Sequence, residues 1–411
     1  MNTGSIEFLK SRFRSYYENA DIPLPDRFSR REYAFMFFGE KGMIRHISFK
    51  KKQAFLSFLA EKVPAHVYYS SAYYKYPDED TMDKKEWMGA ELIFDLDADH
   101  VPGADKLSYE EALEKVKNEF IKLVEDFLLN DFGFNKDELS LYFSGSRGYH
   151  CHVVSPRVLN LDSSERREIV DYIMGNDLRE DIIFREKTVE RISYGKGYQK
   201  RVKRLEIPRI DEAGWRGRIS KTLLGIINEI KNLDREDAIT KLKSYGITQK
   251  MAEKVIDTIS DEKIDRIKEG MIDQSAALRK LFLRGALRKI AVSLSAGETD
   301  EPVTCDIKRL IRLPYSLHGK TAMLCAEINK NILTKIREDP TLLKEIVVPK
   351  MFKENIKFKI MHPNANKIIF FDEEYHLVED IVTFPVYVML LVELNSLCNK
   401  LNLCESLEGD K

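Results

Sequence analysis

The string ELIFDLD at residues 91–97 constrains this chain more than any other. Leu92, Ile93 and Phe94 make a short apolar run of the kind that forms a buried strand, and the run ends in Asp95 and Asp97. At the strand period of two, both carboxylates point to the same face. Side by side they repel, and burying them unpaired is costly. A divalent cation removes that penalty, and hard oxygen ligands favour Mg2+ or Mn2+. Two such ions, about 3.5–4 Å apart, can activate an attacking hydroxyl and steady a leaving pyrophosphate. A plainer reading stays open, with one Asp capping a loop and the other solvated. An aspartyl-nucleophile phosphatase would want Thr or Val two residues after the second Asp, where this chain has Asp99. Asp99 and His100 read as loop residues.

A second block, FSGSRGYHCH at 143–152, reads as strand, tight turn and returning strand. Gly145 and Gly148 let the backbone bend and come close to a ligand. Ser144, Arg147 and His150 offer a hydroxyl, a guanidinium fork and an imidazole, a mixture that suits a triphosphate. His150 and His152 share a strand face, which also leaves a metal pair open, while Cys151 between them points the other way, into the core. The competing reading is a plain hairpin with a surface Arg and a satisfied His.

The third block, DIKRLIRLPYSLHGKT at 306–321, joins an acid to Lys308, Arg309, Arg312, His318 and Lys320. Asp306 is placed to complete a metal trio with Asp95 and Asp97, and Arg312, His318 and Lys320 to neutralise phosphates. As an isolated string it also reads as a solvated charged loop. Pro314 and Gly319 make it irregular, which suits a site loop.

The rest of the chain supplies the frame. Residues 5–19 look helical, YAFMFF (33–38) and GMIRHISF (42–49) read as paired strands, and 50–62 as a helix. Ser108 with Glu111 three residues on is a capping-box pattern, followed by Leu113, Val116, Phe120, Val124 and Leu128 on one helical face. Residues 217–295 are rich in helical patterns and poor in strand signals. SAGETDEP (295–302) is a polar linker back to the first domain, and NKIIFFD (366–372) is β-rich. The organisation expected is a discontinuous α/β (α+β) catalytic domain with mixed sheets over 1–215 and 300–390, a helical insert at 216–299 and a tail at 391–411.

Net charge is −1 over 411 residues, so attraction to nucleic acid must come from local patches. KGYQKRVKR (196–204) and the helix around Leu278–Ala291 are two such patches, each of which also reads as an ordinary solvated face. Five scattered cysteines without a C-x-x-C pair suggest neither a disulfide framework nor a Cys-rich zinc site. With no signal segment and no apolar run near the ~20 residues that cross a bilayer, a cytoplasmic location without membrane attachment is expected.

Taken together and in order, ELIFDLDADH, YFSGSRGYHCHV and CDIKRLIRLPYSLHGKT resemble the catalytic small subunit of archaeal and eukaryotic-type DNA primase. REYAFMFF, IRHISF and PAHVYYSSAYYKYP add support, and the likeness spans roughly 5–215 and 300–385. The resemblance implies that Asp95, Asp97 and Asp306 are catalytic metal ligands for Mg2+ or Mn2+. It implies that Ser144, Arg147, His150, Arg312 and His318 contact the nucleotide triphosphate, with Arg45 a basic position near the metals and Glu32 a weaker match. It further implies primer synthesis on a single-stranded DNA template from NTPs or dNTPs, and a large subunit as heterodimer partner, for which the aromatic-basic N-terminal helix is one candidate surface. Alternatives are a primer-extending gap-filling polymerase of the same fold and a non-catalytic nucleic-acid-binding subunit. The chain departs from the family pattern in three places. Residues 98–108 carry no cysteine where many relatives have a zinc knuckle, so no structural zinc is expected. Tyr315 and Ala322 stand where relatives commonly have Gly.

Overall fold

In a computed structural model of the chain, the residues described are 3–98, 107–176, 185–194, 198–271, 301–328, 335–336, 339, 341–359, 367–370, 373–376 and 381–398. Asp99, His100, the basic segment 278–291, most of the 295–302 linker and the end of the tail lie outside them. The chain divides into two compact units. One comprises Met1–Ile121, Asn135–Val170 and Glu298–Lys411, the other Lys122–Phe134 and Asp171–Gly297.

The strands that matter for the site are β1 (Tyr33–Met36), β2 (Ile44–Ile47), β3 (His66–Ser70), β4 (Ala72–Tyr74), β5 (Trp87–Ala90), β6 (Leu92–Asp97), β7 (Leu139–Phe143), β8 (Gly148–Val153), β9 (Arg185–Tyr194), β10 (Tyr198–Glu206) and β11 (Leu310–Arg312). In the first unit, β11, β3, β1 and β2 form one sheet in that order, and β6, β8 and β7 form a second. Every described ladder is antiparallel, so the class is α+β. β1 is buried throughout its first three residues, as its Tyr-Ala-Phe run requires, and β2 closes the sheet as an exposed edge.

The helix Tyr109–Lys122 starts where the capping box sets it. Ser108 Oγ accepts from Glu111 N at 3.1 Å, and Glu111 Oε2 accepts from Ser108 N at 2.9 Å. Its apolar face buries Leu113, Val116 and Phe120, and the Phe120 ring stacks on Tyr149 of β8 at 5.2 Å. That helix therefore backs the sheet that carries the carboxylates. The N-terminal helix Thr3–Asn19 turns Phe13, Tyr16 and Tyr17 into the core, with Phe13 edge-on to Phe38 at 4.9 Å. Burying each ring contributes roughly 1.5–3 kcal/mol. Those three aromatics are consequently committed to the unit's own core.

The second unit holds the β9–β10 hairpin, which contains the basic string, and the helices Gly214–Asn232, Arg235–Ser244, Gln249–Thr258 and Asp261–Lys268. A π-helical segment, Leu123–Asp131, belongs with it through an Arg218–Asp131 ion pair of 2.6 Å. Helices dominate from Gly214 onward, while the unit also takes in Lys122–Phe134 and, from Asp171, the hairpin. Near the end of the chain, the apolar run that starts at Val386 forms the helix Val386–Cys398, buried from Val386 to Leu391. Among the described residues no helix is long and apolar enough to cross a membrane. Cys151, Cys305 and Cys325 are buried and outside any disulfide.

Candidate active site

The β6–β8 ladder sets Asp95 opposite His150 and Asp97 opposite Gly148. His150 Nε2 lies 3.2 Å from Asp95 Oδ1. Leu96, between the two acids, points into the core and is 1% exposed. Gly148 is required here because a Cβ would come within 2.3 Å of Leu96 O. Burial by itself would raise the Asp95 carboxyl; His150, then Arg312 and Arg309, more than offset this and hold it below the usual carboxylate range. For His150, burial disfavours the charge, but Asp95 outweighs it and pushes the imidazole up to about 10. The two form an ion pair at neutral pH.

The turn from β7 to β8 is pinned by Ser144, whose Oγ accepts from Gly148 N at 3.1 Å and from Ser146 N at 3.4 Å. The Ser144 O–H remains able to donate. Tyr109 O–H donates to Ser146 O at 2.6 Å, and Thr321 O–H donates to Gly145 O. The last bond ties this turn to the 313–326 segment, which also pairs with β7 through Phe143 N to Ala326 O at 2.8 Å.

The other wall is built on β11 and β3. Arg312 Nη1 donates to His66 Nδ1 at 2.7 Å, and the guanidinium lies over the Tyr68 ring at 5.2 Å. Arg has only donors, so Nδ1 of His66 is the acceptor. His66 packs edge-on against His318 at 4.9 Å. Burial, reinforced by Arg312 and Lys320, lowers His66 to about 2, and the same causes keep His318 well below its ordinary value. Both imidazoles are neutral. His318 Nδ1 accepts from Lys320 N at 3.2 Å, which leaves Nε2–H to donate. Gly319 has no room for a side chain, since a Cβ would meet Ala65 O at 2.7 Å and His66 Nε2 at 2.8 Å.

These walls enclose a cavity of about 320 Å³. Asp95, Asp97 and His150 come from β6 and β8, and Ser144, Ser146 and Arg147 from the turn. Arg309, Arg312, His318 and Lys320 line the opposite side, with Tyr68 from β3. Four cationic side chains and the protonated His150 thus face two carboxylates, so the cavity favours a multiply charged anion. It brings together Asp95, Asp97, Ser144, Arg147, His150, Arg312 and His318.

Two of the residues expected at the site do not line this cavity. Asp306 is exposed, follows the helix Glu301–Cys305 that packs on β6, and accepts from Lys308 N at 2.8 Å. Arg45 lies on β2, paired with Glu32 at 3.0 Å. Among the described residues, no three His, Cys, Asp or Glu side chains converge as a ready-made metal cage. Asp95 and Asp97 do fit a hydrated Mg2+ or Mn2+, which takes one or two carboxylates and completes its shell with water and substrate phosphates. His66 and Tyr68 had no distinct signal beyond the β-rich string HVYYS, and their role follows from β11 pairing with β3.

His152 does not join His150 in a metal pair. Its ring stacks 6.3 Å from that of His150, and its Nδ1 lies 3.0 Å from Tyr69 Oη and 3.4 Å from Glu91 Oε2. Glu91 in turn pairs with the fully buried Arg31, which donates to Ser70 O of β3 at 2.7 Å. This buried cluster links the two sheets on which the cavity walls stand.

The sequence profile of the DNA primase small subunit family matches residues 94–330. The chain is 42% identical to the DNA primase small subunit PriS of Methanosarcina acetivorans, over 83% of this chain and 84% of that one. Identity to the same protein of Methanococcoides burtonii is 39% over 93% and 95% of the two chains. For Picrophilus torridus it is 38% over 92% and 94%.

Proposed function

The chain belongs to the DNA primase small subunit family, and on that premise we propose that the 320 Å³ cavity binds the incoming nucleoside triphosphate during primer synthesis on single-stranded DNA. The chain is a DNA-directed nucleotidyltransferase. The observation that carries the detailed reading is one confrontation: Asp95 and Asp97 face Arg147, Arg312, His318 and Lys320 across a single cavity.

Arg147, Arg312 and Lys320 neutralise the triphosphate, with Arg as a bidentate fork. His318 Nε2–H and the Ser144 hydroxyl donate to its oxygens. Asp95 and Asp97 hold divalent metal, with Asp306 contributing from the adjacent loop. Divalent Mg2+ or Mn2+ held by these carboxylates would supply Lewis-acid stabilisation to the attacking 3′-hydroxyl and the leaving pyrophosphate. The chain's own contribution is positioning and charge neutralisation. A large subunit completes the complex as a heterodimer, in keeping with the relatives' designation as small subunits.

The test is de novo synthesis on single-stranded DNA with labelled NTPs or dNTPs, with and without an annealed primer. Short products without primer are expected. Strict dependence on a pre-existing primer would replace priming with gap filling at the same site.

A further inference from the structure

A second cavity, of about 290 Å³, lies in the same unit as the first and shares a strand with it. His150 of β8 lines the first cavity, and His152, two residues on, lines the second. The two are opposite in charge. Four Lys and Arg side chains line the first; none lines the second, which gathers Asp26, Glu91, Asp137 and Glu327 instead. These acids come from four separate stretches of chain. Asp26 lies in the loop after the N-terminal helix, and Glu91 just ahead of β6. Asp137 sits in the short helical turn Lys136–Glu138 before β7, and Glu327 on a backbone bridge to Tyr142 of β7.

The buried wall of this cavity carries a polar atom that the fold itself does not use. His152 is 2% exposed, and among the described residues its Nε2 has no hydrogen-bond partner. A buried nitrogen left bare is costly, and a ligand group in the space that His152 lines removes the cost. Burial holds the imidazole below its ordinary value against the pull of Glu91, so the ring is neutral. The Glu91 carboxylate, 3.4 Å from Nδ1, favours the proton there, which leaves Nε2 an acceptor. Tyr142 packs edge-on to the same ring at 5.0 Å. Around the mouth, Asp26, Asp137 and Glu327 are exposed, and Glu327 Oε2 accepts from Tyr315 O–H at 2.6 Å. The charged partners of these acids stand outside the lining: Arg31 pairs with Glu91, and Arg27 lies 3.7 Å from Asp26 at the surface, where a pair of that length neutralises little.

We propose that this second cavity binds a linear organic dication, a diamine or an amine joined to a guanidinium, at a site separate from the nucleotide cavity. Its N–H groups donate to His152 Nε2 and to the carboxylates of Asp26, Asp137 and Glu327, and its cationic ends and methylene chain lie against Tyr142 and Tyr315. Acids spread over separate stretches call for more than one positive charge, which favours a free dication over one side chain inserted by another protein. Mg2+ is a poorer match. Among the described residues no three His, Cys, Asp or Glu side chains converge as a cage, and a hydrated ion gains little from tyrosine faces. The inference does not rest on the primase reading, because it uses neither Asp95 and Asp97 nor the cations of the first cavity.

The test is isothermal titration of the full chain at neutral pH and about 0.15 M salt, without nucleic acid. The probes are agmatine, 1,4-diaminobutane, N-acetyl-arginine amide and Mg2+. Agmatine and the diamine are expected to bind with a Kd of about 0.1 mM, about tenfold tighter than the capped arginine, and Mg2+ at matched ionic strength should not displace them. Asp137→Asn should weaken agmatine about threefold, and Asp26→Asn with Asp137→Asn about tenfold. Tyr142→Leu should cost about fivefold, while Tyr142→Phe, which keeps the ring, stays within about twofold. These variants leave the Glu91–Arg31 pair intact, and thermal melts check that each is folded. Capped arginine binding as tightly as agmatine would make the cavity a socket for another protein's side chain and overturn the free dication. Equal displacement by Mg2+, or affinity unmoved in the double variant and in Tyr142→Leu, would reduce the acids to surface charge. No binding of either dication up to about 10 mM would remove the site altogether. Failure to incorporate nucleotides counts against the primase reading and leaves these affinities as they are.

Discussion

His150 Nε2 and Asp95 Oδ1 lie 3.2 Å apart as direct partners across the β6–β8 ladder. The pair sits where the cavity's anionic and cationic sides meet, so His150 brings a positive charge to the carboxylate face itself. His150→Gln keeps a donor and removes that charge. Incorporation at limiting NTP should fall about tenfold, the worth of one charge-assisted hydrogen bond reduced to a neutral one. Steady-state kinetics at neutral pH check this, and an unchanged rate would show that the pair is only structural.

His66 touches no substrate in this arrangement but holds Arg312 by the 2.7 Å bond to Nδ1. His66→Phe preserves bulk and loses the acceptor. The KM for NTP should rise by about tenfold with kcat little altered, since a hydrogen bond to a charged group contributes about 1.5–3 kcal/mol. Arg312→Ala should be worse. Equal NTP KM in wild type and His66→Phe would mean that Arg312 needs no such anchor.

Glu91 offers a pH test. Burial opposes its charge, but Arg31 and then His152 hold its carboxyl at about 2, below the 4.5 of an exposed Glu. Because the folded value is depressed, its stabilisation is present above about pH 4.5 and drains away as pH falls toward 2. Glu91→Gln should flatten that acid limb in urea-melt stability profiles. At neutral pH it should cost about 3–5 kcal/mol by leaving Arg31 buried and uncompensated. An acid limb of unchanged slope would contradict the assignment.

Tyr315 and Ala322 both adopt left-handed backbones, with φ of 63° and 56°. That region of backbone favours glycine, so each of these residues carries its side chain at the cost of strain. Ala322→Gly should therefore be nearly neutral, within about 1 kcal/mol, since relief of strain offsets the lost methyl group and the added chain entropy. Ala252→Gly, in the middle of the helix Gln249–Thr258, should cost about 1 kcal/mol or more. Thermal melts of the two variants make the comparison; equal losses would rule out strain at Ala322.

Much of the site was legible because its signals are local. Period two put Asp95 and Asp97 on one face, the glycine-bracketed turn announced the β7–β8 return, and Ser108 with Glu111 marked a helix start that the hydrogen bonds reproduce. The alternation that sends Cys151 inward and His150 outward was equally readable. What escaped depends on contacts between distant residues. His66 and Arg312 are 246 positions apart, and only the β3–β11 pairing makes them neighbours. Arg31 and Glu91 open the strings REYAFMFF and ELIFDLD, but nothing local marks them as partners, and they and Lys85 are buried because each finds a partner of opposite charge across the fold. The N-terminal helix was only half legible: its basic residues stay at the surface, while Phe13, Tyr16 and Tyr17 turn into the core.

The most direct measurement is nucleotide incorporation on single-stranded DNA by Asp95→Asn and Asp97→Asn, across a Mn2+ titration and with circular-dichroism melts alongside. Asn keeps the shape and removes the charge that holds a divalent ion. If these carboxylates seat the catalytic cations against the Arg147–Arg312–Lys320 wall, both variants should stay folded. Each should lose incorporation by about a thousandfold or more, a loss of at least about 4 kcal/mol of transition-state stabilisation. A folded double variant that still makes primers at the wild-type rate would place the chemistry elsewhere in the molecule.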